Sequence, residues 1–249
     1  MDAAQTIRNA IADVTALRLH RAGDPALGAA VGHIKTLQAR RFRGTYADLL
    51  ASPAAGPAAR FFLEELYGDS DYTERDHQFG RIAGTLQTLF PQPVVATAVA
   101  LAVLHAQTEA LDQDMGRAWL AQPDGGQGLS PAARYAAAWR TVGQQHGRQE
   151  QLQRVQAMGA DLARLTRTPG LRTMLRMMRR PAQAAGMGAL QTFLEAGFDT
   201  FGQLARQRGG VEQFLAAIEQ RETALMELLF HAAPVACETE LARTLGQAR

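Results

Sequence analysis

His105, Thr108 and Asp112 interrupt a stretch, ALAVLHAQTEALDQDMGRAW, whose other periodic positions are Leu101, Leu104, Leu111 and Met115. At 100° per residue the imidazole and the carboxylate fall about 20° apart within one apolar face, with Glu109 on its flank. Such a pair can act as acid and base, ligate a metal, or form a silent buried ion pair. Upstream, Arg75 lies inside the apolar arc of Phe79, Ile82, Leu86, Leu89 and Phe90, Asp76 lies at its edge, and His77 and Arg81 point away. A guanidinium on an apolar face needs a partner, because an unpaired buried charge costs several kcal/mol. The break at Pro91 and Pro93 folds these two helices together, so the expectation is one buried polar cluster of Tyr67, Arg75, Asp76, His105, Thr108 and Asp112.

That cluster has two uses, a network that sets the packing register of a helical hairpin or a ligand site. A di-iron bundle requires Glu-x-x-His on two helices. Here His105-x-x-x-Glu109 occurs once, so no metal set is expected, no cofactor follows, and no catalytic residue is assigned. Glu64 and Glu65, side by side in FFLEELYG, are read as a solvated face.

A second candidate is RLTRTPGLRTMLRMMRRP, Arg164 to Pro181, which has several arginines and no acid. Leu171, Met174, Leu175 and Met178 share a face, and Arg172, Arg176, Arg179 and Arg180 lie away from it. A methionine-rich face adapts to a partner groove, so Arg172, Met174, Arg176, Met178 and Arg179 are the candidates for a protein partner or self-association. The bland alternative is a packed helix whose arginines meet acids elsewhere. A membrane surface is disfavoured, because the face lacks Trp and Phe.

The remaining polar residues are weaker. His20, His33, His146 and His231 stand alone, Ser130 reads as a helix cap, and GGQG lacks the strand and GK[ST] of a phosphate loop. Cys237, the lone cysteine, excludes a disulfide framework and reads as inert near a flexible end.

The elements that must carry these residues are helices. Asp24 with Pro25, Thr73 with Asp76 as a capping box, and Ser130 with Pro131 are start signals, while Gly68 and the Gly209–Gly210 pair are stops. No segment alternates with period two. The expectation is an all-α, multi-helix globular bundle of about nine or ten helices. It is built around a Phe61–Leu120 hairpin and closed by two helices over 187–205 and 211–230. A single domain over 1–249 is expected, with a possible subdivision into 1–122 and 130–249 at the QPDGGQGLSP loop.

Composition agrees. Hydrophobic residues at 47% and charged residues at 20% exclude wholesale disorder, and 6% aromatics with few β-branched residues favour helix. The net charge of +2 is too small to imply nucleic-acid binding. Lys35 is the only lysine, a skew attributed to genome composition. The N-terminus has no apolar signal-like region, and the run Pro93–Leu104 is too short to span a bilayer, so a cytoplasmic protein is expected.

The pattern FFLxxLYGxxDxxxRDxxxxRI at Phe61–Ile82, followed by LHAQTEALD, resembles a proteobacterial helical family of unknown function. FLEAGFDTFGQL and FLAAIEQRETALMELLF resemble the end of the same pattern, so the resemblance covers about Pro57–Leu120 and Gly188–Phe230. It implies a helical fold and brings no activity or ligand. The residues themselves favour a protein-binding or self-associating module, with a metal- or cofactor-dependent helical enzyme around His105, Asp112 and Arg75 as the alternative.

Overall fold

Each long amphipathic run of the sequence forms a helix, and the helices wrap around the longest of them. The computed structural model describes residues 2–66 and 71–248. The helices are α1 (Ala3–Gly23), α2 (Pro25–Thr45), α3 (Ala47–Ala51), α4 (Gly56–Phe61), α5 (Thr73–Leu89), α6 (Gln92–Leu120) and α7 (Pro131–Val142). They continue with α8 (Gln145–Thr166), α9 (Leu171–Met177), α10 (Arg179–Ala184), α11 (Gly188–Ala205), α12 (Gly210–His231) and α13 (Pro234–Gln247). Among the described residues there is no strand, so the fold is all-α as expected. The helices outnumber the nine or ten expected, because α3, α4, α9 and α10 are short pieces and α13 was read as a flexible end. Cys237 is in fact fully buried on α13, where burial pushes its thiol up.

Local signals explain most helix starts. The Asp24 carboxylate accepts from Leu27 N and the Ser130 hydroxyl from Ala133 N, each followed by proline in the first turn. The start of α5 differs from expectation: Asp71 Oδ1, not a Thr73–Asp76 capping box, accepts from Thr73 N at 2.9 Å, and Asp76 turns inward. Tyr67 and Gly68 lie outside the described residues. At its C-terminal end α4 widens into a π turn, Phe62–Leu66.

The central helix is α6, flanked by α1, α2, α7 and α8. It is long and apolar enough to cross a membrane by length and composition alone, which the shorter Pro93–Leu104 run did not reveal. In this fold it buries Glu109, Asp112 and Gln113 among its neighbours. Gly116 permits the close approach of α2, since a Cβ there would sit 2.5 Å from Val31 Cγ2. α8 packs on α11 and α12, and α13 closes the far end against α2 and α7. One apolar core joins Phe62, Phe79, Phe201 and Phe214; a second gathers Met115, Trp119, Trp139, Leu229 and Leu241.

Candidate functional site

The polar line on α6 is arranged in levels, and His105 occupies the first. Its Nε2 lies 2.7 Å from Asp76 Oδ2, and Arg18 Nη2 donates to the same oxygen at 2.6 Å. Asp76 is only 3% exposed. Burial alone would push its carboxyl up, but the bonds and charges of His105 and Arg18 outweigh that and hold it below the usual carboxylate range. Arg75 Nη1 donates to the main-chain oxygen of Glu65 at 3.0 Å and to its carboxylate at 3.2 Å, and Arg75 Nε stands 3.8 Å from Asp76 Oδ1. The guanidinium lies between rings, 4.1 Å from the centre of Tyr72 and 4.5 Å from that of Phe193.

Glu65 is therefore a partner of Arg75 rather than part of a solvated face; Glu64 alone is exposed. A π turn closes its hydrogen bonds at i→i+5, so side chains advance by less than the 100° assumed for a regular helix.

Asp112 belongs to a different level. Seven residues separate it from His105, about 10 Å along a helix at 1.5 Å per residue. It shares the face but never meets Arg75. Gln38 Nε2 donates to its Oδ1 at 3.1 Å, and Lys35 Nζ lies 4.0 Å from its Oδ2. Burial pushes this carboxyl up, beyond what Lys35 and Arg148 offset. Glu109 is also buried, yet Lys35 and Arg21 together overcome the burial and bring it down to about 2. Between the levels, Thr108 Oγ1 donates to Leu104 O at 2.9 Å and accepts from Gln151 Nε2 at 2.8 Å.

The structure thus brings Arg75, Asp76, His105 and Thr108 to one pocket and places Asp112 in a second chamber, which Thr108 also lines. That chamber, about 50 Å³, is lined by Asp112, Arg41, Tyr135, Trp139, Arg148 and Glu222, among others. Arg41 pairs with Glu222, which also accepts from Tyr46 Oη at 2.7 Å, and the Arg148 guanidinium stacks 4.0 Å from the Trp139 ring centre. Sequence reasoning missed Arg18, Arg21, Lys35 and Glu65. The signal for Arg18 and Arg21 was their i, i+3 spacing near the end of α1, and the signal for Lys35 was its singularity.

Two hollows meet at the first level. A polar pocket of about 40 Å³ is walled by Glu65, Arg75, Asp76 and His105 with apolar neighbours. A larger apolar cavity of about 120 Å³ lies between α5, α6, α8 and α11. The two share Phe79, Leu101, Leu190 and Phe193 as wall residues.

The other candidate segment covers this cavity. Leu171 and Leu175 of α9 line it, Met174 packs with them, and Met178 is half-buried. On the outer side Arg172 Nε meets Asp199 Oδ1 at 2.8 Å, Arg176 lies 4.0 Å from the same carboxylate, and Arg179 Nε meets Glu195 at 2.9 Å. These arginines of α9 and α10 face acids of α11 within the chain.

Among the described residues, no three His, Cys, Asp or Glu side chains group so as to hold a metal ion. No curated protein and no solved structure matches the chain. A family model described as a domain of unknown function (DUF8198) matches residues 17–236, and the protein belongs to that family.

Proposed function

We propose that this protein binds a small amphipathic molecule, its apolar body in the α5–α6–α8–α11 cavity and its polar end beside His105, Asp76 and Arg75. The observation that carries this reading is the adjacency of the two hollows, which share Phe79, Leu101, Leu190 and Phe193 as wall residues. Ligand sites combine mostly apolar walls with a few convergent polar groups, and this site has that composition. The apolar part, at about 120 Å³, approaches the size that holds a ring, since an apolar cavity of about 150 Å³ takes up benzene. Toluene is therefore a fitting probe. It should raise the melting temperature of the wild-type protein in a concentration-dependent way. The Ala98→Phe variant, which fills the cavity from α6, should lose that response. A wild-type melting temperature indifferent to toluene sinks the reading.

A second reading, self-association through α9, has one observation in its favour: Met177 is 74% exposed beside the Arg176 side chain. Its support is thinner, because Arg172, Arg176 and Arg179 already face Asp199 and Glu195. Met177→Glu leaves the cavity-facing Leu171 and Leu175 in place and should shift any oligomer to monomer by sedimentation. An unchanged sedimentation coefficient removes this reading. The enzyme alternative around His105, Asp112 and Arg75 draws less support, since Asp112 lines a different chamber from His105 and Arg75.

A further inference from the structure

The polar end of the cavity restricts the chemistry of the group it can receive. Its formal charges cancel in pairs: Arg18 meets Asp76 at 2.6 Å and Arg75 meets Glu65 at 3.2 Å. A ligand carrying a full charge would leave water for a pocket whose charges are already matched, and desolvating an unmatched ion is costly. A neutral head group avoids that penalty.

His105 supplies the direction of the hydrogen bond. Asp76 accepts from Arg18 and from the imidazole on one oxygen, so Nε2 is the nitrogen that carries the proton. In the neutral ring the other nitrogen, Nδ1, is then an acceptor. His105 lines the pocket, and no described residue hydrogen-bonds its Nδ1. The apolar walls around it include Phe79, Leu101, Leu104 and Phe193, and the two donors that also line the pocket are already engaged, Arg75 with Glu65 and the Thr108 hydroxyl with Leu104 O. An acceptor in such a setting rewards a donor on the ligand and penalises a bare hydrocarbon less than an ion.

We infer that the ligand is a small neutral hydroxyl compound, an alcohol on an apolar ring or short chain, whose O–H donates to His105 Nδ1. The inference rests on the amphipathic-ligand reading above and names its head group.

Toluene, benzyl alcohol, benzylamine and benzoate share one ring and differ in the head, so their affinities separate the two ideas. They are compared at one alkaline pH, which favours the neutral ring the assignment needs. Benzyl alcohol should bind about five- to tenfold more tightly than toluene, the gain expected of one matched hydrogen bond, and more tightly than either ion. The His105→Phe variant should lose the preference for the alcohol over toluene. Should that variant fail to fold, the His105 Nδ1 resonance of the wild-type protein provides the same test by nitrogen NMR: it should move with benzyl alcohol and stay with toluene. Toluene binding without any gain for the alcohol, tighter binding of benzoate or benzylamine, or an unmoved Nδ1 resonance overturns the hydroxyl assignment and leaves the cavity reading intact. Failure of all four compounds to bind removes the cavity reading itself.

Discussion

Glu109 and Asp112 stand one helical turn apart on α6, and their surroundings divide them. Both are buried, at 3% and 4% exposure. Two cations, Arg21 and Lys35, converge on Glu109 and keep it ionised, whereas burial dominates at Asp112 and raises its carboxyl. Substitution by the isosteric amides should therefore have unequal effects. Glu109→Gln leaves two half-buried cations without their carboxylate, and breaking a fully buried pair costs roughly 3–5 kcal/mol, so the loss should approach the lower end of that range. Asp112→Asn removes a charge that burial disfavours and keeps an acceptor for Gln38, so its cost should stay below about 1 kcal/mol. Urea unfolding of the two variants at neutral pH measures both. Equal losses would mean that Lys35 and Arg148 offset the burial of Asp112 as fully as Arg21 and Lys35 offset that of Glu109. The inward-facing line His105–Thr108–Asp112 was legible in the sequence because helical period assigns a face. Its division into two levels was not, because a helical wheel discards distance along the axis.

At the scale of elements, the legible features were those with local causes. Asp24, Ser130 and their prolines start helices because the caps satisfy nearby backbone donors, whatever lies elsewhere in the chain. The partners of a helix have no such local signature. Arg18, Arg21 and Lys35 read as ordinary basic residues until α1 and α2 lie against α5 and α6. Even α13 carried a readable signal, since Cys237, Leu241 and Leu245 recur every four residues and are all buried. The arginine-rich segment shows how one pattern supports two outcomes. Its apolar face was read as a docking surface, and Leu171 and Leu175 of that face meet the protein's own cavity. A short amphipathic helix identifies that it needs a cover, but not whether the cover comes from another chain.

For the molecule as a whole, the buried acids set how stability responds to acid. Glu109 falls from 4.5 to about 2 on folding, and Asp76 is also lowered. A carboxylate with a depressed folded value contributes stability that is complete above its unfolded value and is lost as pH falls through the folded one. For Glu109 the window runs from pH 4.5 down to about 2, a contribution of roughly 3 kcal/mol. Asp112, being raised, works in the opposite direction: its contribution is full at low pH and disappears as pH rises through its folded value. Two acids on one helix thus oppose each other, and Glu109 with Asp76 should prevail because both are held by cations from other helices. Unfolding free energy followed by circular dichroism should fall steeply across that window in the wild-type protein. The Glu109→Gln variant starts lower at neutral pH and should descend less, so the two curves converge towards pH 2. Parallel curves would show that Arg21 and Lys35 do not tie the first two helices to α6 through Glu109.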